Sequence, residues 1–193
     1  MEQKKRYGLL AVILVGVLLL AGVGYRVLSE RYTAEVRSEA VAQSSQAQTQ
    51  TEAEPMYAPD FTVLDSEGKE LRFSDLAGKP AILNFWATWC PYCKTELPAF
   101  DQASQTYGED IHFMMIDLCD RRRDTPESAA AFLEKEGYSF PAYYDTTGSA
   151  VSAYQVFSIP LTVGINREGE IVALYNSPVS EEQLEQMISY LLS

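Results

Sequence analysis

The sequence has few of the residues that bind metals or build disulfide scaffolds, since its 193 residues include only three cysteines and one histidine. Three cysteines are too few to staple a small secreted fold, so a hydrophobic core must hold the chain together. A zinc site at Cys90 and Cys93 would need further ligands, and only Cys119, His112 and carboxylates could provide them. We therefore expect neither a metal site nor a bound cofactor.

Basic side chains are also scarce, with 15 against 27 acidic ones and a formal net charge of −12. The one basic run, Arg121–Arg123, is bracketed by Asp120 and Asp124. Nucleic-acid binding needs clustered Lys and Arg, so we expect no nucleic-acid partner. The six basic and six acidic side chains of residues 1–54 cancel, which leaves the whole negative charge on residues 55–193.

Only one long hydrophobic run is present, nineteen residues without charge at positions 7–25. At about 1.5 Å per residue, a helix of this length nearly matches the hydrocarbon core of a bilayer. Basic residues within 1–6 precede the run, and the positive-inside rule then leaves residues 1–6 in the cytoplasm. We predict a transmembrane anchor over residues 7–28. A cleaved signal peptide is the alternative, although no small-x-small cleavage site follows the run.

The composition changes twice after the predicted anchor. Residues 29–55 are rich in Ser, Gln, Ala, Thr and Glu and poor in large apolar residues, which is typical of a flexible tether. Residues 56–193 mix apolar and polar residues and are long enough for one well-buried core. We thus predict a single-pass cell-membrane protein with a cytoplasmic N-terminus and one extracytoplasmic domain.

Hydrophobic periodicity within residues 56–193 predicts alternating strands and helices. The predicted strands are 61–64, 71–73, 81–86, 111–116, 161–165 and 170–175, and the predicted helices are 91–107, 126–136, 149–154 and 180–192. The first two strands and the last two each flank a turn, which indicates two hairpins. This alternation is typical of an α/β fold with helices on both faces of a sheet.

Cys90 and Cys93 close a four-residue loop where the predicted strand 81–86 leads into the helix that begins at Pro91. Unpaired backbone N–H groups at a helix start favour the thiolate, which predicts that Cys90 is the attacking sulfur. Cys93, one turn further along, would resolve the mixed disulfide. A zinc half-site and a purely structural disulfide are the alternatives to this redox pair.

The segment around these cysteines resembles the thioredoxin superfamily, and more closely its membrane-anchored TlpA/ResA-type thiol–disulfide oxidoreductases. The resemblance covers about residues 57–192. It depends on the segments APDF (58–61), SDLAGKP (74–80) and NFWATWCPYC (84–93), on Glu96 and Pro98, and on Ile159-Pro160. It implies a thioredoxin fold with an added N-terminal β-hairpin and a helix insertion.

The resemblance also assigns roles to residues outside the cysteine pair. Pro160 should be a cis-proline whose loop faces Cys90, so that an extended substrate can pair with the Ile159 backbone. Glu96 matches an acid that tunes the cysteine pair; if buried, it would have a raised pKa and exchange protons with Cys93. A surface glutamate is the alternative. The residues implied to line the substrate groove are Trp89, Pro91, Tyr92, Ile159 and Leu161.

Three features depart from related proteins or stay unassigned. Leu161 stands where relatives usually have Thr, which makes the groove more apolar, and the Pro91-Tyr92 pair resembles glutaredoxins, which are less reducing than thioredoxin. Cys119 is the odd cysteine. One hypothesis makes it a third redox thiol, activated by Arg121–Arg123 and able to exchange with Cys90; the alternative is an unreactive thiol.

The function implied is a membrane-tethered protein disulfide reductase, reduced by a membrane thiol donor and acting on extracytoplasmic proteins such as apocytochrome c or methionine sulfoxide reductase. One alternative, a thiol peroxidase of the peroxiredoxin type, is prompted by APDF. It requires Pro-x-x-x-Thr-x-x-Cys, whereas Thr88 lies two residues before Cys90 rather than three. An oxidase or isomerase with reversed electron flow and a non-catalytic binding domain with a stabilising disulfide are further alternatives.

Overall fold

In the computed structural model the described residues are Tyr25, 54–120 and 122–193. The predicted segments 1–6, 7–28 and 29–55 lie outside the described residues, apart from Tyr25, Glu54 and Pro55, and they stay predictions. No helix in the described part of the chain is long and apolar enough to cross a membrane. Residues 54–193 form one compact unit.

A mixed sheet with the strand order β2-β1-β5-β4-β3-β6-β7 forms the centre of this unit. Its strands are β1 (Thr62–Leu64), β2 (Glu70–Arg72), β3 (Ala81–Trp86), β4 (His112–Asp117), β5 (Ala142–Tyr144), β6 (Leu161–Ile165) and β7 (Ile171–Tyr175). The central strands β3, β4 and β5 run parallel, whereas the outer strands pair antiparallel. The α/β class predicted from the sequence is confirmed.

Residues 54–193 contain four helices, α1 (Pro91–Tyr107), α2 (Pro126–Glu136), α3 (Ser149–Ala153) and α4 (Glu181–Leu191), besides a 3-10 turn at Phe73–Leu76. Pro91 is the first residue of α1, where its missing N–H costs no hydrogen bond. Capping boxes, in which each cap side chain and the residue three positions later satisfy the other's backbone N–H, start α2 and α4. These local signals explain why the predicted helix bounds agree with the structure within a residue or two.

The alternation of side chains along β3 divides the core into two layers. Ile82 and Trp86 point to the layer that contains α1, α2 and α4, while Leu83 and Phe85 point to the layer with α3. All six residues of β3 are buried, which is typical of a central strand covered on both faces. The end of this rigid strand is therefore a well-fixed place from which to present a reactive group.

The strand β5 was missed by the sequence analysis, which left residues 137–148 unassigned. Three residues are too few to show a periodic pattern. The strand forms because β4 offers a parallel partner on one side, and Leu64 of β1 pairs with Tyr144 on the other. Pairing with strands distant in sequence, rather than local propensity, decides its conformation.

Candidate active site

A disulfide joins Cys90 and Cys93 where β3 leads into α1. Cys90 is the N-cap of the helix, and its sulfur accepts a hydrogen bond from the backbone N–H of Cys93 at 3.1 Å. Cys93 is fully buried, Cys90 keeps 3% of its surface exposed, and Pro91 and Tyr92 between them are exposed. An incoming group therefore meets the Cys90 side of the bond.

The loop before β6 lies against this disulfide. The Ile159-Pro160 peptide bond is cis, as predicted, and the carbonyl oxygen of Ile159 lies 3.9 Å from Cys90 Sγ. Ile159 is half-buried and Pro160 is buried. Leu161, which the resemblance assigns to the groove, is the first residue of β6, and its side chain is buried in the α3 layer of the core. Its assignment to the groove stays a prediction.

Glu96 is buried one turn into α1, with 2% of its surface exposed. Its Oε1 accepts a hydrogen bond from Asn84 Nδ2 at 2.7 Å, and its Oε2 accepts one from the backbone N–H of Val179 at 2.7 Å. Asn84 Nδ2 also donates to Thr162 Oγ1 at 3.0 Å. Burial raises the pKa of Glu96 and these hydrogen bonds oppose that rise. We call Glu96, Asn84, Thr162 and Val179 the Glu96 network.

The loop between β4 and α2 (residues 118–125) contacts the other side of the active-site turn. Asp124 accepts hydrogen bonds from Thr88, from its backbone N–H at 2.7 Å and from its hydroxyl. The guanidinium of Arg123 stacks on the half-buried ring of Trp89 at 3.5 Å from the ring centroid. Asp120 accepts hydrogen bonds from the backbone N–H groups of residues 122–124. These bonds lower the pKa of Asp120, and the bond from Arg123 has the largest effect.

Cys119 lies in this loop with a positive φ of 45°, and it is buried. Burial and the negative charge of Asp117 raise the pKa of its thiol, with smaller contributions from Asp124 and Asp145. This acidic environment disfavours a thiolate, whereas the sequence-based hypothesis needed activation by the arginines of 121–123. Arg121 lies outside the described residues. The environment favours the alternative, an unreactive thiol.

Several residues at the site escaped the sequence analysis. Thr162 and Val179 are distant from Glu96 along the chain, and Asp124 reaches Thr88 from 36 residues away. Phe157, which precedes the cis-proline loop, exposes 91% of its surface. An acidic residue beside a basic run and a lone aromatic before Ile-Pro were the only sequence signals, and neither indicates a site by itself.

Comparisons with known proteins agree with this geometry. The AhpC/TSA family model matches residues 56–174. A relative named thiol-disulfide oxidoreductase ResA, from Geobacillus thermodenitrificans, is 29% identical over 187 residues, which cover 96% of this chain and 96% of the relative. A protein of the same name from Bacillus cereus is 30% identical over 132 residues, or 68% of this chain and 74% of the relative.

A solved structure gives the same result at the level of the fold. StoA from Bacillus subtilis has a TM-score of 0.60 at 26% sequence identity, over 69% of this chain and 99% of StoA. The chain therefore belongs to the AhpC/TSA family of the thioredoxin superfamily and is a thiol–disulfide oxidoreductase.

Proposed function

We propose that this chain is a membrane-tethered protein disulfide reductase that acts on extracytoplasmic proteins through Cys90 and Cys93. The observation that carries the proposal is the cysteine pair itself. It caps α1, lies beside the Ile159 backbone and is followed by a buried glutamate on the same helix. The structure contains the oxidised form, which is the product of one reducing turnover.

The first step begins from the reduced pair. The Cys90 thiolate attacks one sulfur of a substrate disulfide, so that the substrate S–S bond breaks and a mixed disulfide with Cys90 forms. The leaving substrate thiolate takes up a proton. The backbone N–H of Cys93, 3.1 Å from Cys90 Sγ, and the start of α1 favour the attacking thiolate.

The second step releases the substrate. The Cys93 thiol gives its proton to the Glu96 carboxylate and attacks Cys90 Sγ, which forms the Cys90–Cys93 disulfide and expels the second substrate thiolate. Glu96 is suited to this proton transfer because its burial raises its pKa toward that of a thiol. A dithiol donor then returns both cysteines to the reduced state.

The substrate groove in this proposal is formed by exposed and half-buried groups around the disulfide. The Ile159 backbone would pair with an extended substrate segment, while Trp89, Pro91 and Tyr92 flank the sulfur. Phe157, two residues before Ile159, is exposed and would add to the apolar part of this surface. Apolar side chains near the target cysteine of the substrate would therefore be favoured.

Location and partners are part of the same proposal. The uncharged run at 7–25, with basic residues before it, supports an anchor whose C-terminal side lies outside the cytoplasm. A membrane thiol donor would supply the electrons, and apocytochrome c or methionine sulfoxide reductase would be suitable substrates. The strongly negative domain would favour basic partner surfaces.

The thiol peroxidase alternative is less favoured. A peroxidase of this superfamily would need the threonine three residues before the reactive cysteine, and here Thr88 is displaced by one position. The Thr88 hydroxyl is also committed to Asp124. The relatives reported above are named thiol–disulfide oxidoreductases.

A trapping experiment tests the exchange mechanism. The Cys93→Ser variant of the reduced protein should accumulate a mixed disulfide with a protein disulfide substrate, because the resolving thiol is missing. Cys90→Ser should trap nothing, and Cys119→Ala, the matched control, should turn over like the unmodified protein. Non-reducing electrophoresis with mass spectrometry identifies the linked cysteine. A failure of Cys93→Ser to trap substrate would contradict the proposal.

The reduction potential decides the direction of electron flow. A reductase should have a potential well below the about −120 mV of a strong dithiol oxidant such as DsbA. Equilibration of the Cys90–Cys93 pair with glutathione buffers measures it. A value near or above that of DsbA would favour the oxidase or isomerase alternative.

A further inference from the structure

A second buried acid lies at the end of β4, on one side of β3, whereas the Glu96 network extends to β6 on the other side of β3. Asp117 is the last residue of β4 and is fully buried. Its Oδ1 accepts a hydrogen bond from the backbone N–H of Cys119 at 2.9 Å, whereas its Oδ2 has no hydrogen-bond partner among the described residues. A buried, unpaired carboxylate oxygen is costly, so its neighbours must account for it.

The neighbour that accounts for this oxygen is Asp124, which is also buried. Burial raises the pKa of Asp117 to about 7, and the negative charge of the nearby Asp124 carboxylate adds to the rise. A protonated Asp117 satisfies its own Oδ2 by donating to Asp124. We call Asp117 and Asp124 the acid pair, in which Asp117 keeps a proton and directs it toward Asp124.

Asp124 of the acid pair holds the active-site turn. One oxygen of Asp124 accepts from the Thr88 backbone N–H and the other accepts from the Thr88 hydroxyl. Thr88 lies two residues before Cys90, in the turn that sets Cys90 as the cap of α1. The same loop reaches Trp89, the residue between them, through the Arg123 guanidinium.

No described cation pairs with either member of the acid pair in place of the proton. Around the acid pair lie Cys119, Asp120 and Arg123 from the β4–α2 loop, Tyr144 and Asp145 from β5 and its end, and Glu127 and Ser128 from α2. The Arg123 Nε bonds to Asp120 at 2.9 Å. No ion pair of the described part of the chain includes a member of the acid pair.

We propose that Asp124 is a positioning residue for Cys90, and that the proton it shares with Asp117 lets it hold both hydrogen-bond donors of Thr88. The proposal deepens the function proposed above and rests on Cys90 being the attacking thiol. When the proton leaves, two buried carboxylates repel each other, and Asp124 is displaced from Thr88. The rate at which Cys90 reacts should then be lower than the rate expected from the fraction of Cys90 that is present as thiolate.

The test measures the rate at which iodoacetamide alkylates Cys90 in the reduced Cys93→Ser, Cys119→Ala protein, between pH 5 and pH 9.5. In this background we expect two inflections, one from Cys90 and one near pH 7 from the acid pair. Asp117→Asn keeps a donor toward Asp124 but cannot titrate. Its pH profile should therefore have a single inflection. At pH 8.5 its Cys90 should be alkylated about threefold faster than that of the Cys93→Ser, Cys119→Ala parent.

Asp124→Asn separates positioning from simple electrostatics by the sign of its effect. Loss of the Asp124 charge alone would favour the Cys90 thiolate and speed alkylation at pH 6. Loss of positioning should instead slow it about tenfold, the size expected for one hydrogen bond to a charged group. Thr88→Val, which changes no charge, should also slow the reaction, and Thr88→Ser should restore it.

Controls make each outcome decisive. Asp110→Asn removes an equal charge from an exposed position and should leave the profile unchanged. Circular dichroism confirms that each variant is folded; if Asp124→Asn does not fold, the two Thr88 variants carry the test. A profile of Asp117→Asn identical to that of its parent, or faster alkylation of Asp124→Asn at pH 6, would overturn the proposal. The assay needs no protein substrate, so its failure is distinct from failure of mixed-disulfide trapping.

Discussion

Two buried acidic regions lie on opposite sides of β3, and they differ in what surrounds the carboxyl group. In the Glu96 network both oxygens of the glutamate accept hydrogen bonds, from Asn84 and from Val179. In the acid pair, Asp117 Oδ1 accepts a hydrogen bond from the backbone N–H of Cys119. No donor reaches Asp117 Oδ2 among the described residues, and the Asp124 carboxyl group lies nearby.

This difference shows that burial alone does not decide what a carboxyl group does. Burial is the largest cause of the raised pKa at both Glu96 and Asp117. Donors around Glu96 stabilise its anion. The mechanism that we propose uses this anion to take a proton from Cys93 during turnover. The neighbouring carboxylate around Asp117 stabilises the protonated form, so this group is suited to holding a proton in place.

The largest expected effect comes from removing the titration of the Glu96 network. Glu96→Gln keeps the size of the side chain but cannot accept the proton of Cys93, so release of substrate from the Cys90 mixed disulfide should slow at least about tenfold. In the unmodified protein this release rate should rise with pH through the raised pKa of Glu96. Stopped-flow measurement of release between pH 5 and pH 9 detects both effects.

The matched control for this substitution is Glu134→Gln, an exposed glutamate on α2. It should release substrate at the rate of the unmodified protein at every pH. A Glu96→Gln variant with an unchanged rate and an unchanged pH profile would show that the proton of Cys93 goes elsewhere.

A smaller effect is expected on stability, and it isolates the acid pair. Folding raises the pKa of Asp117 from 3.8 to about 7, so its protonated form favours the folded state. This contribution is complete below the unfolded pKa and is lost as the pH rises through 7. Between pH 6 and pH 8 the unmodified protein should lose about 1 kcal/mol more unfolding free energy than Asp117→Asn.

Urea unfolding at the two pH values measures this difference, and Glu96 cancels because both proteins contain it. Equal losses in the two proteins would mean that Asp117 is ionised at pH 6 or protonated at pH 8. Either result would remove the distinction drawn between the two regions.

The smallest effect on stability is expected at Arg123, an exposed residue of the β4–α2 loop next to Asp124. Arg123→Gln removes the stacking on Trp89 and the bond to Asp120, which should lower the unfolding free energy by about 0.5 kcal/mol. Arg123→Lys keeps the charge without the planar stack and should recover only part of the loss. Thermal unfolding measures both, and a loss above about 2 kcal/mol would indicate that Arg123 does more than cover the ring.

Much of the domain could be predicted because its signals are local. The buried run of β3, Pro91 at the start of α1 and the Ser180 cap of α4 lie in consecutive residues, so the sequence places these elements within a residue or two. The short strand β5 could not be predicted, because its partners are distant in sequence.

The site divides in the same way. Cys90, Cys93 and Glu96 belong to one helix, and their spacing predicts their proximity. The burial of Leu161 did not follow from its position after the cis-proline, because the direction of its side chain depends on how β6 pairs with β3. For Cys119 the sequence left two alternatives, a thiol activated by Arg121–Arg123 and an unreactive thiol. The described charges that act on Cys119 are carboxylates, which favours the second alternative.

The redox pair, the helix that begins at Pro91 and the α/β class could be predicted from the sequence, because these depend on residue types at short spacing. Only the tertiary structure decided that Asn84 and Val179 meet at Glu96, and that Asp117 and Asp124 meet behind Thr88. The physical reason is that the protonation of a buried carboxyl group depends on every donor and charge within a few ångströms. Segments far apart along the chain supply those neighbours.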